Sequence, residues 1–414
     1  MLSAALASLG LGLMFRPTNQ TPTSQAQTTP EQVVLAAAPA EPKLQPAPPS
    51  PRQTFRLLVT APEPLLSGGQ ITRPLIHKGF ELALSAVDAQ QARDGTLPRA
   101  ALDKLYSQIE RSPKDAFFRL SGNAWGAQGQ TGWTVKRAAT DAAFLAAAQQ
   151  NGPDVAVSLK LIAPGRSVRV LKEAGVVAHI AAGKSSFAGS PEFRVHNIRV
   201  GSAKLSGLWL ARGEVFDFNG SLGRISASSG FVPGYIISGG SLALEDGGGV
   251  CQISTTVFRA AYLAGLPIVE RHAHSHQVAY YDPPGFEATV YAPSKNLRFA
   301  NDTAAPLLIQ ASWDVEDETL RFDLFGAKLE RQISLSEGQI VGRRPASDPT
   351  YFADPSLSEG EIKRVDLPAA GMRVKIVRTV KREGEKAETD VLRSNYRPWG
   401  GAFAVPPGDQ RAKR

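Results

Sequence analysis

The sequence predicts an α+β, multi-domain protein, and three observations carry that expectation. The chain is 414 residues long, enough for two or three domains and a sizeable core. Strand-period and helix-period segments are interspersed through the first folded stretch. The texture then changes near Gly175 and again after Gly326, where the remainder reads as polar and β-like.

Residues 2–15 are an apolar run ending at Arg16. It falls short of the ~20 residues of a membrane span. It has the length of a signal h-region but lacks positive residues ahead of it. A start codon assigned too late would explain that lack; the alternative is a loose tail. Residues 17–53, rich in Pro, Ala, Gln and Thr, cannot bury a core and are expected to form an extended tether. Export followed by a wall-spanning linker is the simplest account.

Folding is expected to begin at a strand over 55–60. Residues 82–92 read as strand or helix. A helix follows over 99–110, with Ala101, Leu102, Leu105 and Ile109 on its apolar face. Residues 116–135 read as a hairpin, 141–149 as a helix N-capped by Thr140, and 155–162 as an alternating strand. Beyond Gly175 a strand over 176–181 and a helix over 194–211 are expected. A turn at Gly213 precedes an aromatic strand. A closing hairpin is expected over 307–313 and 320–325. Strands over 372–380 and 389–392 follow, then a basic, loose tail.

Residues 245–281 organise the rest. They hold the only cysteine, Cys251, and three of the six histidines, His272, His274 and His276. Gly247, Gly248 and Gly249 run almost directly into Cys251, and apolar spacing from Val250 predicts a helix ending at Gly265. A cysteine in a first helical turn meets unpaired N–H groups that favour its thiolate. A strand over 268–281 would place the three histidines on one face. Packing residue or nucleophile are both open for Cys251. The histidines could be a solvent-facing row, a core residue, or with Cys251 a zinc-type ligand set. The glycines suit either close approach of a substrate or a sharp turn.

One cysteine excludes an internal disulfide framework. The net charge of +8 is scattered rather than clustered, so no nucleic-acid track is expected. An acidic cell-wall polymer or plain solubility suits that charge equally well.

Several stretches together resemble the VanW family: residues 194–198, 213–219, 247–256 and 270–275, extended by 288–290 and 299–301. The module ahead of them, with Trp133 in its Thr-Gly-Trp-Thr-Val stretch, resembles the peptidoglycan-binding domain often found before VanW domains. Residues 353–357 to 394–398 resemble the β-rich extension that often follows. The implied partition is a signal- or anchor-like segment at 1–15, a disordered linker at 16–54 and a peptidoglycan-binding α+β domain at 55–172. A VanW domain at 173–328, a β-rich extension at 329–408 and a basic tail at 409–414 complete it.

The family is named for its place in glycopeptide-resistance gene clusters, and its domains have been put forward as cysteine-dependent L,D-transpeptidases. By position the resemblance implies Cys251 as nucleophile and His274 as base, with His272 ranked lower. The family's usual aspartate is Glu287 here, which makes that residue the candidate for orienting the base. Backbone amides of Cys251 and Gln252 are the expected oxyanion donors. Gly248, Gly249, Gln252, Ser254, Arg271 and Asn301 are the candidate oxyanion and substrate-binding residues.

The expected activity is acyl transfer between peptidoglycan stem peptides through a thioester, in the cell envelope, by a monomer that needs no cofactor or metal. The alternatives are a non-catalytic peptidoglycan-binding or scaffolding protein and a Cys/His zinc-dependent hydrolase.

Overall fold

A computed structural model describes residues 52–238 and 241–412, without the side chains of 235–245. The apolar run and most of the expected linker lie outside the described residues. The linker expectation fails at its end, because Arg52–Pro62 is already a strand. Its inward positions Phe55, Leu57, Val59 and Ala61 are buried in alternation, as a half-buried strand requires.

The architecture is mixed α/β. The first strand pairs antiparallel with Leu75–Ser85 and parallel with Asp154–Ala156. Three helices follow the sequence pattern: α1 (Ala86–Arg93), α2 (Arg99–Ile109) and α3 (Arg137–Gln149). The ambiguous 82–92 stretch is therefore both, strand to Ser85 and helix after it, with Ser85 accepting from the Asp88 N–H as N-cap. Thr140 is not a cap. It lies fully buried inside α3, where its hydroxyl accepts from the Ser158 N–H.

A second sheet orders its strands as Gln70–Thr72, Leu65–Ser67, Ala124–Gln130 and Lys114–Ser121. It shares a core cluster with Leu308 and Phe325 of the later hairpin, and with α4 (Val168–Glu173) through Val168 and Leu171. Phe118 stacks on Phe325 at 4.1 Å. The Gln310 amide accepts from the Phe118 N–H and donates to the Phe118 carbonyl, pairing with that strand as another backbone would.

The expected hairpin is present as Leu307–Asp314 and Thr319–Gly326. It forms the centre of a four-stranded antiparallel sheet with Ala178–Ser186 and Trp209–Leu210 at its edges. Helix α5 (Glu192–Leu205) starts two residues earlier than expected and ends sooner, because the chain turns out of helix at Ser206. A short α6 (Phe218–Leu222) replaces part of the expected aromatic strand, with Asp217 as its N-cap.

Helix α7 (Val250–Leu263) lies against the central sheet. Gly183 permits that approach: a Cβ there would collide with Thr256 O and stand 2.7 Å from Ala260 N.

After the hairpin, Gly371–Arg382 is flanked by Arg331–Leu335, Gln339–Arg344 and Glu388–Tyr396. This β-rich part is bonded to the middle of the chain. Arg378 donates to the Tyr262 and Leu266 carbonyls, and the Tyr262 hydroxyl donates to Asp390. Among the described residues, no helix is long and apolar enough to cross a membrane.

Candidate active site

Twelve of the fourteen residues of α7 are buried; only Cys251, near its first turn, and Leu263, near its last, keep solvent contact. A helix buried all round must satisfy its polar side chains internally, and this one does so largely by docking. Gln252 donates to Ser185 Oγ and the Ser186 carbonyl. Ser254 and Thr255 both donate to the Ala288 carbonyl. Arg259 donates to the carbonyls of Phe286, Lys184, Tyr281 and Asp282. The Cys-Gln-Ile-Ser-Thr-Thr run is thus mainly a docking seam, with Cys251 as its solvent-reachable member.

These contacts correct several expectations. Gln252 and Ser254 are fully buried. The Gln252 N–H donates to Gly249 O, so of the two expected oxyanion donors only the Cys251 N–H lacks a partner among the described residues. The glycines serve packing at the turn. Gly249 has φ +108, and a Cβ on it would stand 3.0–3.1 Å from Ile198 and Arg194; the Gly248 carbonyl accepts from Asn197. Asn301 is fully buried, its amide nitrogen donating to the Leu210, Ala211 and Ala305 carbonyls, which fixes a loop.

The expected strand over 268–281 is also absent. Ile268–Glu270 is a strand, His272 and Thr289 form one isolated bridge, and Ala279–Tyr281 is a 3-10 turn. The three histidines therefore part company. His272 pairs with Glu270 at 2.9 Å, and His276 bonds the Arg397 carbonyl and packs on Trp399. His274 Nδ1 faces Glu287 Oε2. Among the described residues no group of three His, Cys, Asp or Glu is placed to hold a metal ion.

The histidine–glutamate pair is deeply set, with side-chain exposures of 14% and 3%. Glu287 Oε1 also accepts from the His274 N–H at 3.2 Å and from the Tyr396 hydroxyl at 2.9 Å. The Arg271 guanidinium lies 3.5 Å from the same oxygen. Arg271 itself is buried and donates to the carbonyls of Glu287, Gly285 and Arg393 and to Ser394. It ties these segments together.

Burial, with the Arg271 and Lys295 charges, holds the His274 imidazolium well below the ordinary histidine range. The Glu287 carboxylate pulls the other way, but Arg271 already answers its charge. The ring is therefore neutral near pH 7. Its Nδ1 is turned to Glu287, and Nε2 has no hydrogen-bond partner among the described residues.

Cys251 Sγ stands 3.4 Å from Thr289 Oγ1 and 3.6 Å from the Val290 carbonyl, and it bonds no histidine. Thr289 lies two residues beyond Glu287, so one short segment contacts both the sulfur and the imidazole. Tyr281 closes the group. Its ring stacks on His274 at 4.7 Å, and its phenol faces Arg194 and Cys251; burial pushes that phenol up to about 12. Tyr281, Tyr396 and Arg194 carried no sequence signal of their own, although Arg194 opens one of the matched stretches.

Fold and site together define a mixed α/β, multi-domain protein with one cysteine at an uncapped helix head, joined through the 287–290 segment to a histidine–glutamate pair. Residues 193–325 match the family model described as VanW like protein. The uncharacterized protein YoaR of Bacillus subtilis (strain 168) is 30% identical over 215 residues, 51% of this chain and 68% of that protein. The vancomycin B-type resistance protein VanW of Enterococcus faecalis (strain ATCC 700802 / V583) is 27% identical over 156 residues, 36% of this chain and 55% of that one. Two solved G5 domains, one of them from an IgA1 protease, overlie 18% and 20% of this chain. Their identities are 17% and 16% and their TM-scores 0.10 and 0.12, too low to bear on this fold. The chain belongs to the VanW family.

Proposed function

We propose that this protein is exported to the cell envelope and acts there as a cysteine-dependent L,D-transpeptidase on peptidoglycan stem peptides. The observation that supports it best is the exposure pattern of α7, which leaves Cys251 open at the uncapped head of a buried helix. Helix N–H groups and dipole favour an anion at that place.

In the proposed reaction His274 Nε2 takes the proton from Sγ as the sulfur bonds the carbonyl carbon of the diamino acid's L-centre. The Cys251 N–H stabilises the oxyanion. As the tetrahedral adduct collapses, its C–N bond breaks. The imidazolium returns its proton to the departing D-amino acid, leaving a thioester. A side-chain amine of a second stem then bonds the acyl carbon and releases the thiol, giving a cross-link; water in its place gives carboxypeptidation. Glu287 orients His274 and balances its transient charge, and Tyr396 and Arg271 hold Glu287. His272, committed to Glu270, is a weaker candidate. The sulfur–imidazole bond is absent in the free protein; such bonds commonly tighten only when substrate is bound.

In the same proposal residues 55–172 form a peptidoglycan-binding module, 173–328 the VanW domain and 329–408 a supporting extension. The apolar run at 1–15 serves export or anchoring.

A second reading, a non-catalytic peptidoglycan-binding or scaffolding protein, is favoured by the sulfur's two existing contacts, which would suit a packed cysteine. Alkylation by iodoacetamide separates the two. A reactive Cys251 labels at pH 7 at least about tenfold faster than a free thiol with pKa ~8.5. A rate equal to or below that of the free thiol favours the packed cysteine.

A further inference from the structure

Among the arginines around the candidate site, Arg194 is the one with donors to spare. Arg259 is saturated by four carbonyls, and Arg271 by three carbonyls, a hydroxyl and the nearby Glu287 carboxylate. Arg194 is 9% exposed, uses Nη1 on Ser190 Oγ at 2.5 Å and lies within hydrogen-bond reach of the Tyr281 phenol, with its guanidinium 4.0 Å from the Tyr280 ring centre. Among the described residues it has no carboxylate within ion-pair distance. A guanidinium carries five N–H donors in a planar fork, so part of this one's capacity is free. A planar anion is what the free part of the fork accepts best.

Its position ties it to Cys251. Backbone and side chain of Arg194 pack against Gly249, two residues before the cysteine. The Tyr281 phenol hydrogen-bonds Arg194 and is close enough to Cys251 to feel its charge. Helix α5, pinned to the glycine turn by Asn197, fixes Arg194 beside the helix head.

We infer that Arg194 anchors the free C-terminal carboxylate of the substrate, one residue beyond the scissile carbonyl. The inference rests on the acyl-transfer reading above and deepens it: the substrate class becomes peptides that end immediately after the leaving residue. One residue of extended chain spans about 3.3–3.6 Å, so the carboxylate of that residue falls near the helix head, which Arg194 borders through Gly249. A longer peptide would have a neutral amide at the same place. The guanidinium then distinguishes a four-residue stem from the five-residue stem and from an internal bond.

The test uses the full chain with Cys251→Ala, so that binding is read without turnover, in calorimetric titrations with a stem tetrapeptide and its C-terminal amide. The acid is expected to bind at least tenfold more tightly than the amide. Adding Arg194→Gln should bring the acid to the amide's affinity. Arg194→Lys, which keeps charge but not the fork, should retain part of the preference and carries the comparison if the glutamine variant does not fold. Equal binding of acid and amide to the Cys251→Ala protein would overturn the inference. So would a preference that survives Arg194→Gln, or no binding of either peptide. An Arg194-dependent preference without acyl-enzyme formation by wild-type protein would leave the anchor standing and remove the transpeptidase reading.

Discussion

Glu287→Ala should destabilise the protein by about 3–5 kcal/mol, the range for removing one partner of a buried ion pair. Glu287 and Arg271 have side-chain exposures of only 3% and 5%, so solvent cannot replace the lost carboxylate. Arg271 would keep neutral partners only, and the Tyr396 hydroxyl and the His274 N–H would lose their acceptor. Urea denaturation at pH 7 reads the change. Glu287→Gln keeps an acceptor but not the charge, so it should cost less stability while still impairing turnover. A loss below about 1 kcal/mol for the alanine variant would show that Glu287 does not bear the charge balance assigned to it.

His274→Ala should lower kcat by about 10³–10⁴-fold, at the upper end for loss of a positioned base. The fall should appear in the acylation step and leave peptide affinity nearly unchanged. A loss below tenfold would remove His274 as base. The wild-type pH profile follows from the same burial. Because the folded His274 pKa lies below the ordinary 6.5, its neutral form persists below that pH and its base function should too. Stability moves the other way. Below about 6.5 the unfolded chain binds a proton that the folded His274 refuses, so stability falls as pH drops from there toward the folded pKa and is unaffected above it. His274→Ala should flatten that part of the profile.

Much of the framework was legible because it rests on local periodicity. Helices α2 and α3, the 307–325 hairpin and the helix after the glycines each carry a long, regular apolar pattern. The adjacency of Cys251 to a helix head was legible for the same reason. The pairing of His274 with Glu287 is another matter. Spacing alone offered three equivalent histidines, and the family resemblance singled one out. They differ because the chain leaves strand geometry after Glu270, which sends His272, His274 and His276 to three partners. Gln252, Ser254, Arg271 and Asn301 looked like ligand-binding residues because they are polar and lie in or near matched motifs. In the fold each spends its side chain on neighbouring carbonyls or hydroxyls. Tyr396, 109 residues from Glu287, and Arg194, on a different helix from Cys251, reach the site through long-range packing that no local pattern encodes.

The measurement that tests the central claim most directly is the intact mass of wild-type and Cys251→Ala protein after incubation with stem tetrapeptide, with the supernatant analysed for D-amino acid. The account predicts an acyl adduct on wild-type protein and released D-amino acid, both absent from the variant. No adduct and no product with tetrapeptide or pentapeptide, from a folded wild-type protein, would contradict it and favour the binding protein.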